Sequence, residues 1–245
     1  MNKMEVSSVH HTRSERIVLR RRRAGLVETV PCTVRYLGPE DHAEAANFHG
    51  RIAEEIGDEA LFSADNAISE TLGGHGRALA FFDGDHMVCF RSVSYAPSEV
   101  EPAVHDLEIT GMDDHVAVMD FCVIDSAFRG NNLQQISYYL MESIVYADNK
   151  NILYTTVSPK NIYSLANVLD CGFCIEDLKR KYGGTLRFIL AKRLDVPMAV
   201  ATRSHKEVLL HDVRATHDVL AEGRLGYKLR HRSRGMVILY GKPIS

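Results

Sequence analysis

Apolar and polar positions along this chain alternate with two periods, and the order in which they do so predicts a mixed sheet. Residues 32–37 (CTVRYL) alternate as a half-buried strand does. Pro39, Glu40 and Asp41 then open a helix, since carboxylates in a first turn suit the positive end of the helix dipole. Ala43, Ala46, Ile52 and Ile56 continue it at helical spacing as far as Gly57. A second short helix is predicted over 64–72, closed by Gly73 and Gly74. Residues 77–82 and 87–95 are β-prone runs around Asp83, Gly84 and Asp85, which predicts a hairpin.

Residues 98–115 hold Glu99, Glu101, Asp106, Glu108, Asp113 and Asp114 with no Lys or Arg. They read either as a solvated loop or as a field that attracts a cationic amine. A strand over 116–124 follows, then a helix over 132–148 with Leu133, Ile136, Leu140, Ile144 and Val145 on one face. The spacing next predicts a strand at 152–157, a helix at 163–169 and two strands at 175–181 and 186–190, turned through Gly183 and Gly184. Beyond Pro197, Ser204 caps a predicted helix carrying Val208, Leu209, Val213, His217 and Leu220, and short strands follow at 227–229 and 236–240. The fold class is therefore α/β: a mixed, twisted central sheet of six to seven strands with helices on both faces and a C-terminal α-β-β extension. The chain divides into a basic N-terminal arm (1–30), a main domain (31–194) and an extension (195–245) too small for its own core, which packs on the main sheet. Residues 1–16 carry no periodicity and read as a mobile terminus.

Composition narrows the function classes. The net charge of −3 over 245 residues makes a nucleic-acid partner unlikely, and Arg20 to Arg23 read as a solvated strand edge rather than a polyanion site. No apolar run is long enough to span a bilayer, and the polar, basic start does not have the form of a signal peptide. Five cysteines, an odd number, argue against a disulfide framework and for a reducing, cytoplasmic setting. No histidine or cysteine cluster has metal-ligand spacing, so no metal is expected. Cys171 and Cys174 spell C-x-x-C without a companion pair and read as structural.

The chemistry concentrates where the 116–124 strand feeds Ala127-Phe128-Arg129-Gly130-Asn131-Asn132-Leu133-Gln134 and then a helix. Small and polar residues entering a helix N-terminus leave backbone N–H groups unpaired, and these, with the dipole, make a seat for phosphate oxygens. The run from Ile124 to Gln134 resembles the V-x-P-x-x-R-G-x-G-x-G segment of the GNAT N-acetyltransferase family. Asn161, Ile162, Tyr163 and Ser164, then Asn167, Val168, Gly172 and Phe173, resemble that family's later N-x-x-A-x-x-L-Y-x-x-x-G-F run at the same spacing. The resemblance covers roughly residues 34–194.

It implies transfer of an acetyl or other short acyl group from acyl-CoA to an amine, on a small molecule or a protein, by direct attack in a ternary complex. The amides of Arg129, Gly130, Asn131, Asn132, Leu133 and Gln134 would hold the diphosphate. The backbone of Cys122, Val123 and Ile124 would pair with the pantetheine arm where the neighbouring strand splays away. Asn161 and Ser164 would contact the cofactor. Asp120, nine residues before Arg129, stands where relatives place an acidic base; the other reading is a carboxylate paired with a basic residue or capping a turn.

Two departures bear on this. Asn132 and Gln134 replace the later glycines, although asparagine tolerates a left-handed backbone. Val168 replaces the tyrosine that protonates the departing thiolate, which leaves Tyr163, Tyr138 or water for that step. Loss of turnover would instead leave a CoA-binding sensor or scaffold. Lys179, Arg180 and Lys181 read as solvated, or as partners of the adenosine phosphate. The extension could serve a homodimer contact.

Overall fold

A computed structural model describes residues 15–57, 67–196 and 198–244. Nearly all of the predicted mobile terminus, and the start of the helix expected at 64–72, lie outside the described residues. Strands β1 (Glu15–Arg23), β2 (Leu26–Tyr36), β3 (Gly76–Asp83) and β4 (His86–Ser94) form an antiparallel meander at one end of the sheet. Strands β5 (Val116–Val118), β7 (Ile152–Val157), β9 (Thr185–Arg193) and β8 (Cys174–Lys181) continue it, and β5 with β7 is the parallel pair. The short β6 (Cys122–Ile124) pairs with β4 alone.

Helices α1 (His42–Ile56), α2 (Ala67–Glu70) and α3 (Pro97–Leu107) cover one face. On the other lie α4 (Leu133–Ala147), α5 (Ile162–Asp170) and α6 (Val213–Ala221). Period-two alternation explains why both faces are covered. Leu79 and Phe81 of β3 turn toward α4, while Ala78, Ala80 and Phe82 turn toward α1. Fully buried Phe81, Leu153 and Met141 contribute roughly 1.5–3 kcal/mol each to holding the layers together.

The α/β class and the helices on both faces agree with the sequence pattern. The central part, from β2 to β8, has the seven expected strands with the one predicted over 116–124 split into β5 and β6, and among the described residues the whole sheet runs to twelve strands because both ends are extended. At one end β2 runs through residue 30, so the described part of the basic arm is a paired hairpin. At the other, β12 (Leu225–Arg232), β13 (Gly235–Gly241) and β11 (Lys206–Leu209) follow β8. The join is a close approach of Gly226 to Ile175, where a Cβ on Gly226 would come within 3.0 Å of Ile175. Strands β10 (Ala199–Val200) and β14 (Pro243–Ile244) pair separately.

Three expectations are corrected. Residues 206–209 pair with β13 as a strand, and the following helix starts only at Val213, capped by Asp212 through the Ala215 amide at 2.9 Å. The acidic segment is no loop over 97–107: Pro97 presets the first turn, and Val100, Ala103, Val104 and Leu107 form a buried helical face. Arg180 is exposed, as expected, but Lys179 and Lys181 are half-buried and paired. Lys179 donates to the Asp106 carbonyl at 3.1 Å and Lys181 to its carboxylate, tying β8 to α3.

Candidate acyl-transfer site

The strand predicted over 116–124 is broken at Asp120, and the break makes the site. Met119 still donates to the Tyr154 carbonyl of β7 at 2.8 Å, but Phe121 already accepts from Ser92 of β4 at 3.1 Å. Between those bonds the chain leaves β7 and follows β4, so β5 and β6 diverge and one edge of β6 is open. A cleft of about 850 Å³ fills the divergence. Cys122, Val123 and Ile124 form its wall, and Asn132 to Gln134, Asn161, Tyr163 and Ser164 line the same cavity.

At the mouth the chain turns through Gly130 (φ 83°) and Asn132 (φ 57°, ψ 25°) into α4. Asn132 thus takes up the left-handed conformation that the sequence suggested an asparagine would tolerate. Among the described residues, nothing accepts from the amides of Gly130, Asn131, Asn132, Leu133 or Gln134. They form a nest at a helix N-terminus, a geometry that binds anions. Arg129 differs from the expectation, because its amide already donates to the Ser126 carbonyl at 3.3 Å.

Arg20 Nη2 donates to the Gly130 carbonyl at 2.8 Å, and the Arg22 guanidinium stands about where a Gly130 Cβ would meet it, at 3.5 Å. The arginine run is therefore partly spent on the loop. Arg21 is bound to Glu28 and Asp83. Arg91, buried beneath α4, donates to Ser137 Oγ and to the Gln134 carbonyl, both at 2.8 Å, and props the first turn. Neither contact was legible in the sequence, since both partners are more than forty residues away.

Asn161 caps α5, its Oδ1 accepting from the Ser164 amide at 3.0 Å, while Ser164 Oγ lies 3.4 Å from Gln134 Nε2 and links the two helices at the cleft. Tyr163 is 80% exposed at the rim. Tyr138 is buried edge-on against Phe173, and burial with the Glu142 carboxylate pushes its pKa up, which leaves it a poor proton donor. Val168 lines the cleft and offers no proton. Tyr182, on the β8–β9 turn, also lines it with its hydroxyl 3.4 Å from Thr156 Oγ1; nothing in the local pattern marked it.

Asp120 sits at the divergence. Its Oδ2 is buried and accepts no hydrogen bond among the described residues, so neither paired alternative holds. Burial foremost, then the charges of Glu99 and Glu70, hold its pKa well above the usual carboxylate range. Cys122 is the counterpart. Hydrogen bonding from Cys89, whose Sγ is 3.9 Å away, lowers its pKa, and the Arg91 charge adds to that against the cost of burial. Cys171 and Cys174 are buried free thiols, both pushed up to about 11 by burial.

No family model matches the sequence, and no curated protein matches it either. Solved structures do. A GNAT-family acetyltransferase from Streptococcus pneumoniae superposes with a TM-score of 0.52 at 16% identity, over 66% of this chain and 99% of that one. The ribosomal-protein-S5-alanine acetyltransferase of Vibrio fischeri gives 0.50 at 16% identity, over 68% and 94%. The yncA protein of Salmonella typhimurium, solved with its cofactor acetyl-CoA, gives 0.50 at 12% identity, over 68% and 97%. At such identities the likeness speaks for architecture, and the architecture of this chain is that of the GNAT acetyltransferases.

Proposed function

We propose that the protein transfers an acetyl or other short acyl group from acyl-CoA to an amine. The observation that carries this is the row of unpaired amides at residues 130–134, opening onto a cleft whose wall is a strand with a free edge. A diphosphate needs the first and an amide-bearing pantetheine arm the second. Cofactor bound this way would carry its thioester toward the divergence, where Asp120 stands.

In this reading Asp120 removes the proton of the attacking ammonium, directly or through water, and burial, by raising its pKa, makes it a stronger base than an ordinary carboxylate. The amine attacks the thioester carbon, the carbon–sulfur bond breaks, and the thiolate leaves. Tyr163, at the rim, protonates the thiolate in place of the tyrosine absent at Val168. The cleft contributes by holding both reactants in one cavity and excluding water.

Binding without turnover is the second reading, favoured by Val168 and by the glycines replaced at Asn132 and Gln134. Calorimetric titration with acetyl-CoA and a thiol-release assay over an amine panel separate the two. Micromolar binding with amine-dependent release is expected. Binding with no release on any amine would make the protein a sensor, and absence of binding would end both readings.

A further inference from the structure

The half of the cleft beyond the divergence carries two carboxyl groups, Asp120 and Glu99, that have no ion-pair partner among the described residues. Glu99, in the first turn of α3, lines the cleft with Asp120. Glu70, at the end of α2, receives a hydrogen bond from Ser98 at 3.1 Å and lies close enough to raise the pKa of both other carboxyl groups. Glu99 and Asp120 therefore face one cavity from two different elements, and Glu70 stands behind Glu99, off the lining, beside Ser98. Among the described residues, neither Asp120 nor Glu99 has an ion pair.

The nearby cations are engaged elsewhere. Lys181, the one that favours ionisation of Glu99, is bound to Asp106, as is Lys179. Arg187 lines the cleft with its guanidinium carbon 5.4 Å from the Tyr182 ring centroid. Like charges in a poorly solvated cavity are costly, and an arriving cation relieves the cost.

We propose, on the acyl-transfer reading, that the acceptor is a dicationic amine of the alkyl diamine or polyamine class. Its reacting nitrogen meets Asp120, and its second ammonium sits at Glu99, with the charge of Glu70 behind it. One positive charge satisfies Asp120 alone, so the second acidic position calls for a second cation. An acceptor bearing a carboxylate, such as a free acidic amino acid, would be repelled. The orphaned Oδ2 of Asp120 is the independent sign that a donor is missing from the cavity.

The test compares 1,4-diaminobutane with n-butylamine, which matches its chain but lacks the second charge. In thiol release from acetyl-CoA, kcat/KM for the diamine should exceed that for the monoamine at least tenfold. Glu99→Gln should shrink that ratio severalfold, mainly through KM for the diamine. Equal values for the two amines, or a ratio unmoved by Glu99→Gln, would overturn the proposal. Titration of 1,4-diaminobutane into the protein saturated with coenzyme A reads the same site without turnover. Binding weakened by Glu99→Gln supports the cation site even where no thiol is released, an outcome that sinks only the catalytic reading. No binding, or binding indifferent to Glu99, sinks the site itself.

Discussion

The side chain of Asn131 holds the backbone of Arg20 by both of its polar groups. Its Oδ1 accepts from the Arg20 amide at 2.9 Å and its Nδ2 donates to the Arg20 carbonyl at 2.7 Å, as a neighbouring strand would. The same Nδ2 reaches the Phe128 carbonyl at 2.8 Å. One amide thus bonds the edge strand to the turn before α4 and closes that turn on itself.

Replacing Asn131 with alanine removes these three bonds. Each is worth about 1 kcal/mol net, and their exposure places the combined loss at roughly 1–3 kcal/mol. Thermal unfolding should show it as a drop of several degrees. Acetyl-CoA affinity should fall a further few-fold, because the turn loses its anchor. A variant with wild-type Tm and affinity would show that β1 and the loop are independent.

Asn132 is required for its backbone. Asn132→Gly should leave acetyl-CoA affinity within about twofold, since glycine enters the left-handed region freely. Asn132→Asp keeps the shape but sets a carboxylate beside the diphosphate, and a tenfold weakening at low salt, about 1.4 kcal/mol, is expected. The loss should shrink as salt rises. Equal affinity of the two variants by calorimetry would place the diphosphate elsewhere.

On the proposed reading, Asp120 sets an activity against a stability. Its folded pKa lies above the unfolded value, so its contribution to stability is complete below the unfolded pKa and is lost as pH rises through the folded one. Asp120→Asn should therefore raise Tm by a few degrees at pH 8, with little change near pH 4. The same variant should cut kcat by about a hundredfold or more and abolish the rising limb of the pH–rate profile. A profile that keeps that limb would take Asp120 out of the chemistry. Glu99→Gln removes a like charge and should move the limb to lower pH.

Cys122 should be the most reactive of the five cysteines. Burial raises the thiols of Cys32, Cys171 and Cys174 to about 11, whereas Cys89 and Arg91 lower that of Cys122, which also faces the cleft. Iodoacetamide at pH 7 followed by peptide mass mapping should label Cys122 first, and saturating acetyl-CoA should slow that labelling. Fastest labelling at another cysteine would contradict the environment described for it.

The features that were legible in the sequence are local ones. The β7 span of 152–157 was recovered residue for residue, and α4 to within a residue at each end, because period and turn chemistry act over a few neighbours. Asn132 announced its own conformation for the same reason, since its short amide side chain tolerates left-handed angles wherever it stands. In the 97–107 segment the acidic composition and Pro102 masked a helical face that Val100, Ala103, Val104 and Leu107 nonetheless spelled out.

What tertiary structure alone decided is every pairing between distant segments. The 116–124 run is continuous in pattern, and it breaks at Asp120 because β7 and β4 compete for its edges, each keeping a part. Residues 206–209 have the spacing of a helix but gain more by completing hydrogen bonds along β13, whose paired residues lie about thirty positions on. The clamp of Asn131 on Arg20 and the placing of Glu99 and Asp120 in one cleft arise likewise. Local periodicity records which way each side chain points, but charge and hydrogen bonding act through space, and only the closed sheet sets those distances.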